Sequence, residues 1–235
     1  MFTLIGTLIA VLLLPPVPVA DAACADVHIM GVRGSGQAGY GEQVETYLDA
    51  IAAVVGESGA SVTDEAIDYP AISLADSLFA LFNGDYDRSV DAGAVALNDA
   101  LDTMQSSCPT SGLVVIGYSQ GAQVIKRTLG DRPVGDRLVS VVFLADLTRD
   151  ITQPGVVTVG SSGVDDEGSL GAVAVPDHIR PLTIDVCAPF DAVCTGFGLD
   201  FAAHIQGYAV PAPEALDAFD ADLAQSSIMR RQIPR

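Results

Sequence analysis

The sequence has no tryptophan, three histidines and a single lysine, Lys126, in 235 residues. So few histidines narrow the choice of a general base to His28, His178 and His204. The scarcity of lysine goes with a formal net charge of -19, from 30 acidic and 11 basic residues. A surface this negative repels phosphate backbones, which argues against nucleic acid as a partner. The apolar run at the start, Phe2 to Leu14, falls short of the ~20 residues of a membrane span and has the length of a signal-peptide core. Pro15, Pro16 and Pro18 follow it, and Ala20-Asp21-Ala22 offers a cleavage site. No Lys or Arg precedes the run, which departs from the usual export signal. Residues 1–22 are read as a signal peptide and residues 23–235 as one domain. The expected location is outside the cell, free or cell-wall associated, with no stable membrane insertion after cleavage.

Cysteine is also sparse. Cys24, Cys108, Cys187 and Cys194 are an even set in an exported chain, which reads as two disulfides. Cys187 and Cys194 close a short loop and are natural partners, leaving Cys24 with Cys108. No histidine sits beside them at ligand spacing, so no metal site is expected.

What is present is an alternation of strand and helix patterns. Ala25 to Met30 reads as a strand running into the turn-prone Arg33-Gly34-Ser35-Gly36. Glu42 to Val55 carries Val44, Tyr47, Leu48, Ile51 and Val55 on one helical face. Val62 to Tyr69 is a weaker strand stopped by Pro70, and Asp87 to Met104 is a second amphipathic helix. Leu113 to Ile116 and Leu138 to Leu144 are apolar runs of the kind buried in a central sheet. Gln120 to Leu129 reads as a helix ended by Gly130. Pro181 to Val186 is a further strand and Pro213 to Leu223 a last helix. The alternation predicts an α/β fold, largely parallel, with helices on both faces of the sheet. Residues 154–176 show no period and are expected to form a long surface loop, with room for an irregular hairpin.

The strongest chemical signal is Gly117-Tyr118-Ser119-Gln120-Gly121. It sits between a buried strand and a helix, the setting of a nucleophile elbow. A serine hydroxyl needs a base. His28 lies inside the first strand, whereas His178, at the end of the long loop, and His204, after the strands, both satisfy the Ser–acid–His order, with His204 leaving more room for an acid between. Asp185, Asp191 and Asp200 are the candidate acids, and Asp191 lies within the Cys187–Cys194 loop, which can fix its position.

Four segments together resemble the cutinase family. They are Cys24 with the strand leading to Arg33-Gly34-Ser35-Gly36, the elbow preceded by Cys108, the cysteine loop holding Asp191, and His204. The resemblance implies Ser119 as nucleophile, His204 as general base and acid, and Asp191 as orienting acid. It implies an oxyanion hole from Ser35 and the backbone N–H of Gln120, with disulfides Cys24–Cys108 and Cys187–Cys194. The implied fold is a single-domain, three-layer α/β hydrolase with a central, mainly parallel five-stranded sheet and no large lid. Gln37 stands where many relatives carry Glu, which puts a local ion pair there in doubt, and Tyr208 follows His204 by four residues instead of three. The long 154–176 loop has the scope to reshape an acyl channel. The expected activity is hydrolysis of short- to medium-chain carboxylic esters, small or polymeric, cutin and lipid esters included, by a monomer without cofactor. The rivals are an acetylxylan esterase, a phospholipase A or a thioesterase on the same scaffold, and, from another class, a non-catalytic secreted binding protein.

Overall fold

The computed structural model describes residues 24–73, 82–130, 132–160, 167–196 and 201–232. The expected signal peptide and Asp200 lie outside these residues. Six strands form one sheet in the order β2-β1-β3-β4-β6-β5, and every pairing is parallel. They are β1 (Val27–Val32), β2 (Val62–Ala66), β3 (Gly112–Tyr118), β4 (Leu138–Leu144), β5 (Val157–Gly160) and β6 (Thr183–Cys187). The main α-helices among the described residues are α1 (Glu42–Glu57), α2 (Asp85–Ser107), α3 (Gln120–Gly130), α4 (Ala192–Thr195), α5 (Phe201–Gln206), α6 (Pro213–Gln225) and α7 (Ser227–Gln232).

The period of two along each strand splits the core into two layers. Val27, Ile29, Val114, Ile116, Val142 and Leu144 face one side, where they meet Val44, Leu48 and Ile51 of α1 and Phe219 and Leu223 of α6. Met30, Val32, Leu113, Val115, Val141 and Phe143 face the other, against Val90, Leu97 and Leu101 of α2 and Val124, Ile125 and Leu129 of α3. Central strands buried on both faces have to be continuous apolar runs, which is why Leu113 to Ile116 and Leu138 to Leu144 stand out in the sequence. Pro213 starts α6, where its fixed φ and missing N–H cost nothing.

The sheet has one strand more than the five expected. The addition, β5, falls within the segment read as a loop, and it pairs parallel to β6 at the sheet edge, not as a hairpin. Its Val157, Thr158 and Gly160 are exposed and only Val159 is buried. An edge strand with one buried side chain has almost no hydrophobic period to betray it. Both disulfides are formed, Cys24–Cys108 and Cys187–Cys194.

Candidate active site

The chain leaves β3 at Tyr118, turns at Ser119 and enters α3 at Gln120. Ser119 takes φ 53°, a left-handed conformation that costs a non-glycine residue roughly 1–2 kcal/mol. Two backbone bonds hold it there: its N–H donates to the Leu144 carbonyl at 2.8 Å, and its own carbonyl accepts from the Ala122 N–H at 3.0 Å. The flanking glycines are steric necessities. A Cβ on Gly121 would lie 2.1 Å from the Val32 carbonyl oxygen, and one on Gly117 would lie 2.7 Å from the Gly121 backbone. The turn is therefore clamped between β1 and α3, with Ser119 at the wall of a cleft of 350 Å³.

Asp191 and His204 meet across the short disulfide loop. Asp191 caps α4, its Oδ1 accepting from the Val193 N–H at 2.9 Å. His204 lies on α5, and its Nδ1 is 3.1 Å from each Asp191 oxygen. Both side chains are buried. His204 and Ser119 line the same cleft. The Tyr118 ring stacks on the His204 imidazole at 4.9 Å between centroids, and its hydroxyl donates to the His204 carbonyl at 2.9 Å.

One participant was not recognised from sequence. The Tyr208 hydroxyl donates to Asp191 Oδ2 at 2.6 Å while accepting from the Ala188 N–H at 3.0 Å. Burial, followed by the nearby Asp191 charge, pushes this phenol well above its usual range, so it stays a donor. Its spacing from His204 was visible in the sequence; its partner, 17 residues upstream, was not.

The remaining candidates separate cleanly. Ser35 lines the cleft, in a loop fixed by Gly36 donating to the Ala71 carbonyl at 2.7 Å. The same loop is anchored by the buried Arg33, which bonds the Ile67 carbonyl at 2.9 Å, the Tyr69 carbonyl and Asp68. Gln120 is buried at the first position of α3, where helix geometry leaves its N–H without a carbonyl of its own helix. Gln37, at the position of the doubted ion pair, makes amide hydrogen bonds to Gly34 and Gln43. Asp185 pairs with Arg149 at 3.0 Å, while the carboxylate on His204 is that of Asp191; burial first, then the Asp146 charge, pushes the Asp185 carboxyl up to about 6. His28 sits on the sheet, bonded to Thr63 of β2 at 2.9 Å. His178 is exposed in a separate cleft of 390 Å³ at the opposite end of the sheet, beside Leu138 and Leu182.

The family model described as Cutinase matches residues 23–220. The chain is 30% identical over 185 residues to carboxylesterase Culp1 of Mycobacterium tuberculosis, spanning 77% of this chain and 74% of that protein. It is 31% identical over 104 residues to acetylxylan esterase 2 of Talaromyces purpureogenus, spanning 44% of this chain and 41% of that protein. The fold matches the catalytic core domain of acetyl xylan esterase from Trichoderma reesei with a TM-score of 0.64 at 23% identity, covering 85% of this chain and 99% of that one.

Proposed function

The chain belongs to the cutinase family of carboxylic ester hydrolases, and from that premise we propose that it is a secreted serine esterase acting through Ser119, His204 and Asp191. The observation that carries the reading is the two-oxygen grip of Asp191 on His204 Nδ1, which leaves the opposite imidazole nitrogen for the cleft that Ser119 also lines. In this reading His204 takes the Ser119 proton as the hydroxyl attacks an ester carbonyl. Asp191 holds the imidazole in the tautomer protonated at Nδ1 and stabilises the imidazolium that forms. The N–H groups of Gln120 and Ser35 receive the oxyanion. His204 then returns the proton to the departing alcohol, and water, activated by the same imidazole, releases the acid. These steps need no metal or organic cofactor. We take the enzyme to act as a monomer on a small or polymeric ester. Two disulfides support secretion, because such bonds persist in oxidising compartments.

Replacing Ser119 with Ala tests the assignment. Hydrolysis of p-nitrophenyl butyrate is expected to fall by roughly 10⁴-fold or more with the thermal unfolding curve retained. Activity kept by pure Ser119→Ala protein would sink it.

A second reading concerns the alcohol half of the ester. Among the described residues the cleft wall carries Ser35, Glu42 and Ser73 beside the apolar Ile205. Hydroxyl and carboxylate groups of this kind suit a polyhydroxylated alcohol, as in the acetylated xylan named for one relative. Rates across acyl chain lengths, with acetylated xylan and phospholipid alongside, separate a sugar-ester preference from a lipid-ester one.

A further inference from the structure

Two glutamines link the Ser35 loop to the His204 helix across the cleft. The Gly34 N–H donates to Gln37 Oε1 at 2.7 Å. Gln37 Nε2 donates to Gln43 Oε1 at 2.5 Å, and Gln43 Nε2 donates to the Ile205 carbonyl at 2.7 Å. The first link touches the residue before Ser35, and the last touches the residue after His204. Its last link, from Gln43 to Ile205, joins residues 162 apart in the chain.

The surroundings are shaped to hold it. Gly41, at φ 74°, lies so close that a Cβ there would be 2.2 Å from Gln37 Oε1. Gln43 is 3% exposed on the otherwise apolar inner face of α1. Burying a carboxamide is unfavourable unless both its ends are bonded, and here both are. The direction of the chain also matters. A carboxamide accepts at one end and donates at the other, so each glutamine passes the relay on. An ionised carboxylate at position 37 would still accept from Gly34 but would give Gln43 Oε1 no donor. At its far end the relay meets a short helix held by side chains: the His204 carbonyl is taken by Tyr118 and the Ile205 carbonyl by Gln43.

We propose that Gln37 and Gln43 are positioning residues that keep the oxyanion loop at Ser35 in register with His204. The proposal rests on the Ser119–His204 reading for its effect on rate, but the register itself is a property of the fold. If the relay works as a unit, breaking it at either glutamine removes the same thing.

The test compares Gln37→Leu, Gln43→Leu, the double variant and the near-isosteric Gln37→Glu with wild type and Ser119→Ala. Each relay variant is expected to lower kcat on p-nitrophenyl butyrate about tenfold with KM unchanged, the size of one lost hydrogen bond. The double variant is expected to be no worse than either single one, since coupled members of one network are non-additive. Gln37→Glu, which keeps the Gly34 contact and has an exposed edge to tolerate the change, is expected to match Gln37→Leu at pH 8. Wild-type kcat in Gln37→Glu, additive losses in the double variant, or losses confined to KM would overturn the relay. A second readout does not depend on turnover: the His204 ring proton and nitrogen resonances should move in Gln37→Glu, which does not touch that ring. Unmoved resonances would end the proposal even if Ser119 proves to be the nucleophile. Moved resonances with a fully active Ser119→Ala would keep the relay and discard the mechanism.

Discussion

The two ends of the parallel sheet are built on different terms. At the end where the strands begin, Cys24 is tied to Cys108, the Ser111 hydroxyl bonds the Ala25 carbonyl at 2.6 Å, and Asp26 accepts from the Ser61 N–H at 2.8 Å. These are local stitches between neighbouring turns. At the end where the strands finish, the chain carries most of its unfavourable features. All four non-glycine residues with positive φ among the described residues, Ala71, Ser119, Ala145 and Phe190, are in the connections that leave β2, β3, β4 and β6. The buried pairs Lys126–Asp146, at 2.5 Å, and Arg149–Asp185, at 3.0 Å, lie there too. Strain and buried charge each cost stability, and they gather where ligands bind in parallel sheets, beyond the carboxyl ends of the strands. The first end secures the fold; the second draws on that stability to hold the strained turn at Ser119 and the buried Asp191–His204 pair in place.

The disulfides offer the largest test of this division. Cys24 and Cys108 are 84 residues apart, Cys187 and Cys194 only 7. Loop-closure entropy assigns about 4.5 kcal/mol to the long loop and about 2.4 kcal/mol to the short one. Replacing the first pair by alanine should therefore shift the denaturant midpoint further, yet leave kcat near wild type. Replacing the second should shift the midpoint less but lower kcat by about tenfold or more, because Asp191 loses its closed loop. Stability and rate falling in the same proportion for both pairs would erase the contrast.

Tyr208→Phe makes the same point with one oxygen atom. It removes a donor to the Asp191 carboxyl group at the site end without changing side-chain shape. A hydrogen bond of this kind contributes about 1.5–3 kcal/mol, so kcat/KM should drop roughly 10- to 100-fold. Steady-state rates beside thermal melts check it: a large loss of stability with an unchanged rate would make Tyr208 a structural residue only.

Sequence reasoning reached these two ends unequally. The elbow was legible because its constraints are local: two glycines, an apolar strand before them and a helix after them all fall within Leu113 to Gly130. Asp191 is preferred to Asp185 only through the resemblance to the cutinase family, since the cysteine loop alone leaves the choice open, and the pairing of Asp185 with Arg149 leaves no local trace in the sequence. Tyr208 and Gln43 were out of reach as partners, since their bonds to Asp191 and Ile205 span 17 and 162 residues. The strand β5 was missed because an edge strand needs only one buried side chain. What escapes is thus what tertiary contact alone creates.

The smallest effect is expected from Asp222, on α6 at the end where the strands begin. It lines the cleft with Leu138 and Leu182 and accepts from the Ser140 hydroxyl at 2.9 Å. Burial raises its carboxyl to about 6, with the Ser140 bond opposing only in part. A carboxyl whose pKa is higher folded than unfolded binds its proton more tightly in the folded state. Its stabilising contribution is therefore complete below about pH 4 and lost as the pH rises through about 6. Asp222→Asn keeps an acceptor for Ser140 and carries no charge, so it should melt higher than wild type at pH 8 and alike at pH 4. Because the site is half open to solvent, the gain at pH 8 should be about 1 kcal/mol. Asp222→Asn should also leave kcat untouched, being remote from Ser119. A rate change in that variant, or equal melting shifts at pH 4 and pH 8, would mean that the two ends of the sheet are not energetically separate after all.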